Sequence, residues 1–143
     1  MNDPFDLNRF LKAQDPIYQT VLDELRAGLK QNHWMWFIFP QLGGLGHSFT
    51  AQFYGIASDE EGQAYLEHLV LGARLKECVE ALLLWKGRRS AEQILGSVDA
   101  MKLRSSLTLF DVLDPMSLFA AGLDAFFVGE RDERTLALLN VNR

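Results

Sequence analysis

The chain has 143 residues, enough for one domain with a proper hydrophobic core, and its 48% hydrophobic and 23% charged residues are ordinary for a folded, soluble protein. A formal net charge of −5 and a densest basic cluster of only Lys86, Arg88 and Arg89 argue against a nucleic-acid partner, which needs a broader basic surface. A single cysteine, Cys78, excludes an internal disulfide. The sequence has neither a signal-peptide pattern nor a run of roughly 20 apolar residues, so we expect a cytoplasmic protein with no membrane partner.

Aspartate followed by proline marks three predicted helix starts, at Asp3, Asp15 and Asp114. An aspartate side chain accepts hydrogen bonds from the free amides of a first turn, and proline suits the next position because its missing N–H would be unpaired there. Apolar residues recur every three or four positions after two of these starts, which predicts amphipathic helices. These residues are Ile17, Val21, Leu22, Leu25 and Leu29 after Asp15, and Met116, Phe119, Leu123, Phe126 and Phe127 after Asp114, the second set ending at Gly129.

Two further starts have the pattern of a capping box, Ser58 with Glu61 and Ser90 with Gln93. Residues 71–85, 98–113 and 132–139 have the spacing of additional helices. No alternating strand pattern is longer than a few residues, and no Asn-Gly or Asp-Gly hairpin turn occurs. We therefore predict an all-α fold, a single compact domain of six to eight short helices that spans residues 1–143.

The stretch HWMWFIFPQLGGLGHS, residues 33–48, is either a buried plug or the wall of a binding site. Large aromatic side chains bury much surface, so core packing is the simpler interpretation for most of them. Trp36 is the candidate for a pocket wall, because its indole N–H needs a partner and the polar His33 and Gln41 are near in sequence. The aromatic residues assigned to the core are Trp34, Phe37 and Phe39.

The glycine-rich turn that follows Pro40 is a candidate anion site. Gly44 and Gly46 allow a tight turn, and Ser48 is a plausible N-cap for the next helix, whose first amides would attract an anion. The turn matches neither the dinucleotide fingerprint nor the P-loop, since His47 stands where a P-loop has lysine.

Helix 98–113 carries polar residues beside an apolar stripe. At about 100° per residue, Lys102 and Ser106 fall at the edge of the face that contains Leu107, whereas Arg104 lies on the opposite side, where it could pair with Asp111. Lys102 either extends its ammonium to water or holds it inward with a partner, in which case it could bind an anion or activate a hydroxyl.

The three histidines, His33, His47 and His68, show no metal-ligand spacing, and carboxylates do not cluster with them. The sequence therefore predicts neither a metal site nor a cofactor. Whether a reaction is catalysed stays open. If one is, His33 and His47 are the candidates for proton transfer, because imidazole titrates near neutral pH.

Several ordered segments resemble a bacterial family of uncharacterised proteins catalogued as domain of unknown function 1810, some members of which carry a calpastatin-like label. The segments are HWMWFIFPQL, GLGHS, YGIAS, YLEHLVLGARL, KLRSSLTLF and DERTLALL, and the resemblance extends from about Phe10 to Leu139. It implies a mainly helical, single-domain fold and assigns no activity. We do not adopt the calpastatin label, because it denotes a disordered inhibitor, whereas this chain has the aromatic content of an ordered one.

Two functions of different classes follow. The first is a small helical domain that binds an anionic, nucleotide-like ligand through Trp36, Gln41, Gly44, Gly46, Ser48, Lys102, Arg104 and Ser106. The alternative is a non-catalytic interaction or structural module, a homo-oligomer among its forms, whose contact surface would include Phe126, Phe127 and Val128.

Overall fold

Residues 2–139, which are the residues that the computed structural model describes, form ten α-helices and no β-strand. The predicted all-α fold is confirmed. The helices outnumber the six to eight expected, and the one that the sequence gives no sign of is α3, whose four residues are too few for a periodic pattern. Within these residues no helix is both long and apolar enough to cross a membrane. The helices are α1 (Asn8–Gln14), α2 (Tyr18–Ala27), α3 (Met35–Ile38), α4 (Phe49–Phe53), α5 (Asp59–Glu67), α6 (Leu71–Leu83), α7 (Ala91–Leu95), α8 (Ser97–Leu113), α9 (Leu118–Phe127) and α10 (Glu133–Leu138).

Serine side chains begin three helices as the sequence predicts. The Ser48 hydroxyl accepts a hydrogen bond from the Ala51 amide, which starts α4. Ser90 forms a complete capping box with Gln93 at α7. Ser58 caps α5 without the reciprocal bond, because the Glu61 carboxylate accepts from another amide and from an arginine.

The Asp-Pro pairs do not begin helices as predicted. The amides of Asp15 and Asp114 donate to Leu11 and Phe110, so each aspartate ends the helix before it. Asp114 has left helical geometry, as a following proline favours, whereas Asp15 keeps helical φ and ψ; the next helices start three or four residues later. Asp3 lies closest to the predicted role, since its carboxylate accepts from two amides at the start of α1.

Helix α8 occupies the centre of the domain and packs against α5, α7, α9 and α10. Fully buried aromatic rings connect it to its neighbours: the Phe110 ring centroid lies 5.6 Å from that of Tyr65 on α5 and 5.6 Å from that of Phe119 on α9. Cys78 on α6 is also fully buried, and burial raises the pKa of its thiol to about 12. Because the thiolate is the reactive form, Cys78 is an inert core residue.

A short parallel backbone pairing between Leu42 and Ile56 closes the loop that carries α4. The Gly43 amide donates to Ile56, and the Ile56 amide donates to Gln41. A β-carbon on Gly55 would lie 2.9 Å from the α-carbon of Gly43, so a side chain there would push apart the two paired backbone segments. Backbone contact at these glycines thus holds α4 close to the body of the domain.

Val128 ends α9 in a left-handed conformation, with φ of 54°, although the residue is 92% exposed and gains little from packing. A β-branched residue is disfavoured there. We expect Val128→Gly to raise the free energy of unfolding by about 1 kcal/mol in urea denaturation. Gly129→Ala is the matched control, since Gly129 has φ of 75° and should lose a similar amount. A destabilised Val128→Gly protein would contradict the strain argument.

Candidate ligand-binding site

A pocket of about 420 Å³ lies between two parts of the chain that are distant in sequence. One side consists of α3, the loop after it and α4, and the other consists of the first half of α8 and the start of α10. The volume is within the range that small-molecule sites occupy. Among the residues that the sequence singled out, the pocket is lined by Trp36, Gln41, Gly46, His47, Ser48, Lys102 and Arg104.

Lys102 is held inward rather than extended to water. Its Nζ atom lies 4.4 Å from the ring centroid of Trp36, within the range of a cation–π interaction. The same Nζ atom lies 3.6 Å from Asp99 Oδ1, one turn earlier on α8. The side chain is 23% exposed, so the ammonium is partly desolvated yet open to the pocket.

Asp132 fixes the opposite corner of the pocket. Asp132 is the N-cap of α10, since its carboxylate accepts hydrogen bonds from the amide and the hydroxyl of Thr135. The same carboxylate accepts a hydrogen bond from the Ser105 hydroxyl at 3.2 Å. Its own amide donates to the Thr108 hydroxyl at 2.9 Å. These bonds attach the start of α10 to α8, so the pocket wall that they form is rigid.

Two arginines contribute charge near Asp132. Arg104 Nη2 lies 3.8 Å from Asp132 Oδ1, and Arg104 Nη1 lies 3.8 Å from Glu130 Oε2, both longer than a strong ion pair. Arg134 lines the pocket and has no ion-pair partner within residues 2–139. The predicted Arg104–Asp111 pair is wrong, because the Asp111 carboxylate accepts from Arg131 at 3.2 Å instead.

Three candidate residues lie outside the pocket. His33 is exposed in the segment between α2 and α3 and does not line it. Gly44 has φ of 96° and shapes the turn, but only Gly46 reaches the pocket wall. Ser106 is fully buried in the core, and its hydroxyl has no hydrogen-bond partner among the described residues. Its neighbour Ser105 faces the pocket instead.

The interior assignment of the aromatic stretch is confirmed for two of its three residues. Trp34 and Phe39 are fully buried, whereas Phe37 is half-buried against the core. The Trp34 indole N–H donates to the buried Glu24 carboxylate at 2.9 Å. Burial acts to raise the pKa of Glu24, but hydrogen bonds from Asn32, Gln31 and Trp34 outweigh it, so the pKa lies below its ordinary value. Glu24 is therefore ionised, and its hydrogen bonds hold the start of the aromatic stretch against α2.

The contact surface of the alternative function is smaller than expected. Phe126 and Phe127 are partly buried against the core, and of the three residues predicted for this surface only Val128 is exposed. No group of three or more histidine, cysteine or acidic residues within residues 2–139 is arranged to hold a metal ion.

The family described as a protein of unknown function, DUF1810, matches residues 4–139. The chain belongs to this family. Its fold is similar to that of a conserved hypothetical protein, Rv1873, from Mycobacterium tuberculosis, with a TM-score of 0.94 and 53% sequence identity over 98% of this chain and 100% of that one. No curated protein matches the chain. The resemblance seen in the sequence is thus confirmed, and neither description assigns an activity to the DUF1810 fold.

Sequence reasoning missed several lining residues of this DUF1810 pocket. Val98 and Met101 are large apolar side chains, each 66% exposed, on the polar side of α8. Asp132 and Arg134 flank the start of α10, where acidic and basic residues are ordinary helix-terminal features. The sequence carries one sign of these lining residues: Val98 and Met101 are apolar although they lie on the solvent side of an amphipathic helix.

Proposed function

We propose that this protein binds a small anionic, nucleotide-like ligand in the pocket between α4 and α8. The observation that carries the proposal is the charge of the lining. Three cationic side chains, Lys102, Arg104 and Arg134, face one carboxylate, Asp132, in a chain whose net charge is −5. Positive charge concentrated in a concave site of a negative protein favours an anionic ligand.

The apolar part of the lining supports a ligand with a flat hydrophobic portion. Val98 and Met101 expose large side chains at the pocket, and Leu45 and Ala51 face them from the α4 side. Exposed apolar surface of this kind is stabilised when a ring system covers it. A nucleobase with an attached phosphate has both portions that the lining requires.

Trp36 is a wall of the pocket in this proposal and not a surface on which the ligand stacks. One face of its ring is already covered by the Lys102 ammonium at 4.4 Å. A ligand ring would therefore lie against Val98 and Met101, and its anionic group would lie near Lys102. Gln41 and Ser48 supply polar contacts at the rim.

Of the two histidine candidates, His47 lines the pocket and would be the proton-transfer group if a reaction followed. The single free, buried cysteine is consistent with the cytoplasmic location that we propose.

Thermal shift against nucleoside mono- and diphosphates, nucleosides and sugar phosphates tests the ligand class. We expect a phosphorylated nucleoside to raise the melting temperature more than the matching nucleoside does, because only the former can pair with the cations. If no anion raises the melting temperature at millimolar concentration, the proposed function fails.

Lys102→Met is expected to weaken binding of the best nucleotide by about tenfold or more, because a hydrogen bond to a charged group contributes about 1.5–3 kcal/mol. Isothermal titration calorimetry measures the change. Lys86→Met is the matched control, since Lys86 is exposed and does not line the pocket, and it should leave the dissociation constant unchanged. Equal effects of the two substitutions would show that net charge, rather than this site, governs binding.

A further inference from the structure

Asp99, which lies outside the pocket, contacts two lysines, and one of them, Lys102, faces the ligand site. Asp99 Oδ2 lies 2.9 Å from Lys30 Nζ, and Asp99 Oδ1 lies 3.6 Å from Lys102 Nζ. The Asp99 carboxylate thus lies near two ammonium groups, and the cluster of Lys30, Asp99 and Lys102 has a net charge of one positive unit. Neither Lys30 nor Asp99 lines the pocket.

Burial and distance show which lysine neutralises Asp99. The Lys30 side chain is 8% exposed, whereas that of Lys102 is 23% exposed. A buried ammonium needs its counterion more than a partly hydrated one does. The shorter contact and the deeper burial both assign Asp99 to Lys30.

The two tryptophans keep the lysines in place. Lys30 Nζ lies 5.2 Å from the ring centroid of Trp34, and Lys102 Nζ lies 4.4 Å from that of Trp36. The Lys30 amide also donates to the Ile94 carbonyl at 2.8 Å, which fixes its backbone to α7. Lys30 therefore stays beside Asp99.

We propose that Lys30 neutralises Asp99 and so leaves the charge of Lys102 available to an anion in the pocket. Lys30 and Asp99 are positioning residues that set the anion preference of the site from outside it. Without Lys30, the Asp99 carboxylate pairs with Lys102 and competes with the ligand. The inference rests on the proposed function, because it concerns the same anion.

Charge substitutions with opposite expected signs test this arrangement, with inorganic pyrophosphate as the probe in calorimetry. Lys30→Met should weaken binding by about three- to tenfold, and Asp99→Asn should strengthen it by a similar factor. The double variant should return to within about twofold of the original affinity, and Lys30→Arg, which keeps the charge, should change little. Circular dichroism confirms that each variant is folded. If both single variants weaken binding alike, their role is structural and the inference fails.

A chemical probe separates this inference from the proposed function. Trinitrobenzenesulfonate is an anionic reagent for amines, and mass spectrometry of the labelled peptide gives the rate at Lys102. We expect the fastest labelling in Asp99→Asn and the slowest in Lys30→Met. If pyrophosphate and nucleotides bind no form but this order holds, the proposed function fails and the electrostatic inference stands. Equal rates in all forms overturn the inference, whatever the binding result.

Discussion

Arg9→Met is expected to lower the free energy of unfolding by about 3–5 kcal/mol, because it leaves a buried carboxylate without its counterion. Arg9 Nη2 lies 2.7 Å from Glu61 Oε2, and the two side chains are only 10% and 4% exposed. The guanidinium also donates to four backbone carbonyls, so all of its N–H groups are paired. Urea denaturation at neutral pH measures the loss.

The same substitution should also weaken the candidate site. Two of the carbonyls that Arg9 binds belong to Phe53 and Gly55, at the end of α4. Helix α4 carries Ser48 and Ala51 at the pocket wall, so a loosened attachment costs ligand affinity as well as stability. We expect a reduced thermal shift with the best nucleotide, even at a temperature where the variant is fully folded.

An exposed ion pair provides the matched control for Arg9. Arg26 Nη2 lies 3.9 Å from Glu77 Oε2, and both side chains are about half exposed. Arg26→Met should change the free energy of unfolding by less than about 1 kcal/mol. The buried pair should also be non-additive, so that Arg9→Met combined with Glu61→Gln costs less than the sum of the single losses. Strict additivity would contradict the assignment of a coupled pair.

The sequence predicted the two halves of the pocket because each carries a polar residue inside an apolar pattern. Gln41 follows an aromatic run, and Lys102 lies beside the apolar stripe of α8. A lysine or glutamine in such a place either reaches water at the edge of the core or lines a cavity. That both halves meet in one pocket is a property of the tertiary fold, which local patterns do not encode.

The wrong predictions for Ser106 and for Arg104 also arise because local spacing does not show which other segments pack against a helix. Helical periodicity placed Ser106 at the edge of the apolar face of α8, but α8 packs against four other helices, so that edge is core. The sequence predicts an Arg104–Asp111 pair because the two residues lie on the same face of α8, but it does not reveal that Arg131 approaches Asp111 from outside the helix. The Arg9–Glu61 pair joins residues 52 positions apart, and no spacing rule reaches that far.

Glu24→Gln is expected to cost about 2–3 kcal/mol of unfolding free energy at neutral pH, because the ionised carboxylate accepts four hydrogen bonds in the interior. Gln31 and Asn32 donate to it from the loop that follows α2, and Trp34 donates its indole N–H. An amide has one acceptor oxygen and no charge, so these donors are less well satisfied. Glu92→Gln is the control, since Glu92 is exposed.

The pH dependence distinguishes a charged acceptor from a merely well-packed side chain. The folded-state pKa of Glu24 lies below its ordinary value of 4.5, so folding favours the ionised form. Its contribution is complete above that ordinary value and is lost as the pH falls through the folded-state pKa. The difference in unfolding free energy between the natural protein and Glu24→Gln should therefore shrink between neutral pH and about pH 3.

A difference that stays constant over this range would mean that Glu24 acts through packing alone. The result also bears on the pocket, because the loop that Glu24 holds contains Lys30. If Glu24→Gln loosens that loop, Asp99 loses its close partner and turns toward Lys102. Weaker pyrophosphate binding by Glu24→Gln, rescued by adding Asp99→Asn, would then connect the buried carboxylate beneath Trp34 to the charge that the pocket presents.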